Sequence, residues 1–410
     1  MTALWWRFET PDCLLLGIFL SLGVISALRA EFVFAALAEV SMFALLAILA
    51  MLTARIVSTD VARYVRWARW FALLFATGYV LGVATRYLAA FNLERAIDLD
   101  VLMLGYANPR FPSALHAILI PFLALTVLEK KELPLLRVGA GVVLSFVWAI
   151  NLGLGTRGIW FAYALGVLVT SALVGWRQLI RPVVVLTLTA VAGFSLYYCF
   201  LSSALVAGSG AALQTPIDNL TLTSREVLWE LSWRAIESSP WLGIGPAQFA
   251  ALGSGVGAHP HNWPLQIAAE WGLLALALLL FALFRLGRRV RRAGVQGSDL
   301  VALTMASVIT LSLGLVDGNL VMPVSQIATA LVMGTLIGTL NSQEKPQRGN
   351  VRTSGPMLVF TAFASAIACG TVVAFVAASF PDQQRSIDTF RRAQPGAWLV
   401  PRFWEQGNLY

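Results

Sequence analysis

Charge is scarce in this chain. Of its 410 residues only 12% are Asp, Glu, Lys or Arg, against about a quarter in soluble domains. That shortage excludes an ordinary soluble fold. A hydrophobic share of 58% and a mean hydropathy of +0.75 point instead to repeated membrane crossings. Cysteine is sparse as well: Cys13, Cys199 and Cys369 lie far apart, each inside an apolar segment. Their spacing excludes a disulfide framework and a thiolate metal site, and reads as three small buried hydrophobes. The first apolar stretch lacks a small-residue cleavage site, so it reads as a retained span. No internal repeat stands out.

Apolar runs of about 17 to 25 residues can each cross the hydrocarbon core as a helix. About eleven can be traced, at 11–28, 32–54, 70–90, 113–128, 134–154, 158–176, 182–203, 264–284, 299–317, 320–341 and 356–379. Only the polar break Asp317-Gly318-Asn319 parts the ninth from the tenth. The predicted fold is therefore an all-α, polytopic membrane helical bundle. Residues 1–203 hold seven spans, 204–263 one large external loop, 264–379 four more spans, and 380–410 a short external tail.

The net charge of +8 would suit nucleic acid, but its distribution does not. Arg7, the Arg55–Arg69 cluster, Lys130-Lys131, Arg177 and Arg181, RLGRRVRR ending at Arg292, and Lys345–Arg352 fall in alternate connections. With eleven spans they all lie on one side, which the positive-inside rule places in the cytoplasm. The basic residues thus serve topology, and nucleic-acid binding is not expected. The external loop contains SREVLWELSWRAIESSP, whose Val227, Leu228, Leu231, Trp233 and Ile236 suit an amphipathic helix. Trp229, Trp233 and Trp241 suit a position at the membrane interface.

Few polar groups remain on the external side. Arg157 sits in LGLGTRGIW with almost no loop around it; Arg225 opens the amphipathic helix. Arg110 and His116 flank the fourth span in YANPRFPSALH, and Asp317 marks the short break. AHPHNWPLQIAAEWG puts His259 and His261 just before the eighth span, with Glu270 two turns into it. Singly, each has an ordinary explanation: arginines snorkel to headgroups, histidines hydrogen-bond at interfaces, and carboxylates pair with neighbouring helices. Together they hold the parts for chemistry on a phosphate leaving group. Guanidinium forks bind phosphate oxygens bidentately, and a neutral imidazole can take a proton from an attacking hydroxyl. A metal is not expected, because HxH alone supplies only two ligands.

The stretch from Arg225 through Trp229, Pro240-Trp241-Leu242-Gly243-Ile244-Gly245, His261-Asn262, Leu265-Gln266, Glu270 and Gly272 resembles the O-antigen ligase superfamily. Its pattern is an arginine before a tryptophan-bearing helix, a P-L-G-x-G turn, then H-N-x-x-L-Q-x-x-x-E-x-G. Here Trp241 adds one aromatic to the turn. Thr156-Arg157-Gly158 resembles the family's S/T-R-G turn, Asn108-Pro109-Arg110 its N-P motif, and Asp317-Gly318 a late D-G. The resemblance implies a bacterial inner-membrane glycosyltransferase, facing the periplasm, with no metal or other cofactor. Its donor would be a glycan on undecaprenyl diphosphate. Arg157 and Arg225 would hold the diphosphate, and His261 would act as base beside His259. Glu270, Asn262, Asp317 and Arg110 would support them. Lipid A–core is the expected acceptor, with a pilin or other protein as the alternative and another lipid-linked glycan as the second. A transporter is the reading from another class, disfavoured by the clustering of polar residues at one face.

Overall fold

A computed structural model describes residues 10–95, 97–106, 108–202, 204–205, 223–252, 257–294, 297–344 and 363–378. Among these, 83% are helical and none lies in a strand. In chain order the helices are α1 (Thr10–Ala27), α2 (Val33–Val57), α3 (Val61–Asn92), α4 (Leu99–Met103), α5 (Arg110–Leu128), α6 (Pro134–Gly153), α7 (Arg157–Val174) and α8 (Trp176–Leu196). There follow α9 (Thr223–Ser238), α10 (Trp263–Glu270), α11 (Gly272–Arg292), α12 (Ser298–Leu313), α13 (Pro323–Glu344) and α14 (Phe363–Ala378). Seven of them are long and apolar enough to cross a membrane: α2, α3, α5, α6, α7, α8 and α13. The chain is an all-α, multi-pass membrane protein. Many large apolar side chains on its helices are exposed, Phe71, Leu81, Leu168, Leu188 and Phe284 among them, as lipid rather than water requires.

A helix lies over each apolar run of the sequence, but the eighth run is broken. It is two helices, α10 and α11, parted at Trp271, with Gly272 at φ +87°. The cysteines also differ from expectation. Cys199 and Cys369 are exposed on helix surfaces rather than buried. The side chain of Cys13 and the expected tail at 380–410 lie outside the described residues.

By their contacts the residues form two units, interleaved in sequence. The first is Met1–Thr59, Leu222–Arg289 and Leu320–Tyr410. In it α2 and α13 pack closely because Gly334 and Gly338, one turn apart, lie against the backbone of Ala50 and Ala54. Small residues four apart let two membrane helices approach to backbone contact. Against α1, the indole of Trp271 fills the space over Gly23 and stacks on Phe19 at 4.8 Å. At the basic end, Asp12 on α1 accepts from Arg285 Nε at 3.1 Å, and Arg289 donates to Asn341 at 2.7 Å. These arginines, expected only as topology signals, also tie three helices together.

The second unit is Asp60–Thr221 and Val290–Asn319. Its centre is α5, buried on every side from Pro112 to Thr126. His116 lies fully buried there, with Asn151 Nδ2 3.1 Å from its Nδ1 and its ring edge-on to Tyr79 at 4.7 Å. It is a core histidine. Gly166 takes Ile309 of α12, and Gly193 takes the backbone of α6 at Ser145. Arg69, one of the basic cluster, is buried against Glu129 and Glu132 at 3.3 and 3.1 Å.

Candidate active site

In the first unit, two loops cross and hold each other. Ile244 N donates to Ala269 O at 2.9 Å, Gly245 N to Glu270 O at 3.0 Å, and Leu273 N to Pro240 O at 2.8 Å. A Cβ on Gly243 would overlap the backbone of Glu270, and one on Gly272 the backbone of Trp241. Both glycines have positive φ, +72° and +87°. The P-x-L-G-x-G turn and the E-x-G at the helix break are therefore one structural object. They need glycine because two backbones pass where a side chain would stand.

Glu270 ends α10 fully buried. Its Oε1 accepts from Phe249 N at 2.9 Å and its Oε2 from Gln266 Nε2 at 3.3 Å. The carboxylate fixes the short turn Gln248–Leu252, in which Gln248 clasps the backbone N–H and C=O of Phe32 between α1 and α2. The sequence reading passed over Gln248 because its partner lies 216 residues away.

The histidine turn rests on this frame. Asn262 caps α10, its Oδ1 accepting from Leu265 N at 3.0 Å, so the N of the H-N pair starts a helix. His261 sits at φ +53°, a conformation that costs a β-carbon residue about 1–3 kcal/mol unless its surroundings enforce it. His259 is buried and His261 half-buried, with ring centroids 4.1 Å apart at 62°. The amide of His261 donates to His259 Nδ1 at 3.2 Å. That nitrogen is thus an acceptor, and a neutral His259 carries its proton on Nε2. The Trp229 indole donates to Pro260 O at 3.0 Å, bringing α9 onto the turn. Arg225, one turn earlier on the same face of α9, is half-buried. No sequence signal pairs Trp229 with Pro260, 31 residues on.

In the second unit, Arg157 is the exposed first residue of α7. Thr156 before it shares a 2.7 Å hydrogen bond with Ser113 of α5, which brings the T-R-G turn to the start of that helix. Arg110 begins α5, its backbone N–H held by Asn108 Oδ1 at 2.9 Å, so Asn108-Pro109 is a helix-starting turn. Gly158 packs on Leu313 and Val316, and buried Asp317 comes next, bonded to Gly318 N at 2.7 Å. Asn319 donates to Thr310 O and closes the end of α12. Arg110, Arg157 and Asp317 therefore share one end of this unit.

Residues 140–280 match the family profile described as O-antigen ligase. The match supports the likeness of these residues to the O-antigen ligase superfamily. The matched residues hold Arg157, Arg225, His259, His261, Asn262 and Glu270, and leave out Arg110 and Asp317. A search of curated proteins found no match to the chain. The matched domain supports, broadly, activity of the O-antigen ligase and polymerase type, that of a glycosyltransferase-like enzyme acting on lipid-linked glycan.

Proposed function

We propose that the chain moves a glycan from a polyprenyl-diphosphate carrier to an acceptor hydroxyl at the periplasmic face of the inner membrane, with lipid A–core as the acceptor. The observation that carries this reading is the histidine turn, which lies within the matched residues and offers His261 from a fixed, left-handed backbone. His261 takes the proton of the acceptor hydroxyl. The freed oxygen forms a bond to the anomeric carbon while the carbon–oxygen bond to the diphosphate breaks, inverting that centre. The electron pair leaves on the diphosphate. Arg225 neutralises the growing charge, and the same role falls to Arg157 by its motif. Glu270 and Asn262 hold the turn, and Arg110 and Asp317 shape the end of the unit that carries Arg157. The leaving group is already activated as a diphosphate, so no nucleotide sugar is needed, and the two guanidinium groups offset its charge.

Complementation tests this reading. In a Gram-negative strain lacking its ligase, the wild-type chain restores ladder-bearing lipopolysaccharide. His261→Ala and Arg225→Ala at equal protein level lower transfer by about 10²-fold or more. A glycosylated pilin without ladders moves the acceptor to protein. Ladders from both variants at the wild-type level overturn the site.

A further inference from the structure

The peptide between Pro260 and His261 is held at both of its polar atoms. Its oxygen accepts from Trp229 Nε1 at 3.0 Å, and its N–H donates to His259 Nδ1 at 3.2 Å. One of these groups comes from α9, the other from the turn itself. Rotating that peptide plane would break both bonds and carry His261 out of φ +53°.

We infer that Trp229 and His259 form a two-sided clamp on the Pro260–His261 peptide, and that His259 is a positioning residue rather than a second base. The inference rests on the reading of His261 as the base. Geometry divides the labour. The Nδ1 of buried His259 is engaged by the backbone of the residue it positions, whereas His261 is only half-buried on that clamped backbone. Pro260 contributes by having no N–H of its own and a fixed φ, so the turn has one movable peptide plane there and the clamp holds that one. The tryptophan of the family-like motif is then a hydrogen-bond donor to the catalytic turn as well as an interfacial aromatic.

The test uses the full-length protein in vesicles with a lipid-linked glycan donor. Trp229→Phe keeps the ring and removes the donor. His259→Asn places an acceptor near the position of Nδ1, and His259→Gln near that of Nε2. The clamp predicts that Trp229→Phe lowers kcat by about 10-fold and His259→Gln by about 10²-fold, with donor KM within about twofold. His259→Asn should recover at least about 10-fold over His259→Gln. Amide hydrogen exchange at His261 reads the clamp without any chemistry: protected in wild type and His259→Asn, fast in His259→Gln. Equal damage from Asn and Gln, or a His261 amide that exchanges alike in all of them, overturns the clamp. His261→Gly, which accepts φ +53° freely but has no base, should be inactive and partly restored by free imidazole. Wild-type turnover by His261→Gly sinks the base reading alone, and the exchange result still judges the clamp.

Discussion

Glu270 shows how far one residue's role depends on partners distant in sequence. As a carboxylate eight residues past His261–Asn262 it reads equally well as an orienter of imidazole or as a structural brace. Its buried oxygens lie on Phe249 N–H and Gln266, which holds together the frame under the histidines. Glu270→Ala leaves a buried amide without its acceptor and should lower stability by about 1–3 kcal/mol. Glu270→Gln keeps an oxygen for Phe249 and should melt within about a third of that loss, as thermal unfolding in detergent will report. At this scale the sequence is legible where the motif is local. Asn262 capping its own helix is an example, since cap and capped amide are three residues apart. It is silent where geometry is not local: Trp229 under Pro260, Gln248 on Phe32, and the left-handed φ of His261 all depend on segments meeting in space.

Among the helices, hydropathy located the apolar elements, seven of them long enough to cross a membrane, because lipid imposes one requirement on every crossing segment. The break between α10 and α11 escaped that reading, since apolar residues continue through it and Gly272 is an ordinary residue in a membrane helix. What makes it a break is the second loop lying against it. Gly243→Ala and Gly272→Ala would each push a methyl group into backbone and strain a positive φ, so each should abolish most folded protein in a detergent size-exclusion assay. Gly17→Ala in α1 is the control, because nothing lies within 4 Å of the added carbon, and its profile should match wild type. The contact of Gly23 with Trp271 tests the same logic between helices. Gly23→Leu should destabilise, and Trp271→Leu in that background should restore part of the loss, a coupling that independent sites do not show.

For the whole molecule, the distribution of arginine and lysine implies sidedness, which sided labelling measures directly. With Cys13, Cys199 and Cys369 replaced, Gly155→Cys and Glu31→Cys should react with an impermeant maleimide from the periplasm. Lys131→Cys and Thr59→Cys, at the other ends of α6 and α2, should react only after lysis. Reversal of either pair would turn the histidine turn toward the cytoplasm and end the proposed reaction. The interleaving of the two units has a further consequence, for the order of events during synthesis. The first two helices enter the membrane early, yet the groups they hold arrive 216 residues later at Gln248 and 244 residues later at Glu270. Six helices of the other unit, α3 to α8, are made in between. Until translation has passed α10, α1 and α2 are a half-built cradle and the frame under His259 and His261 is unmade. On the proposed function, the power to move a glycan thus belongs to a chain made past α10, and a shorter nascent one inserts into the membrane without it.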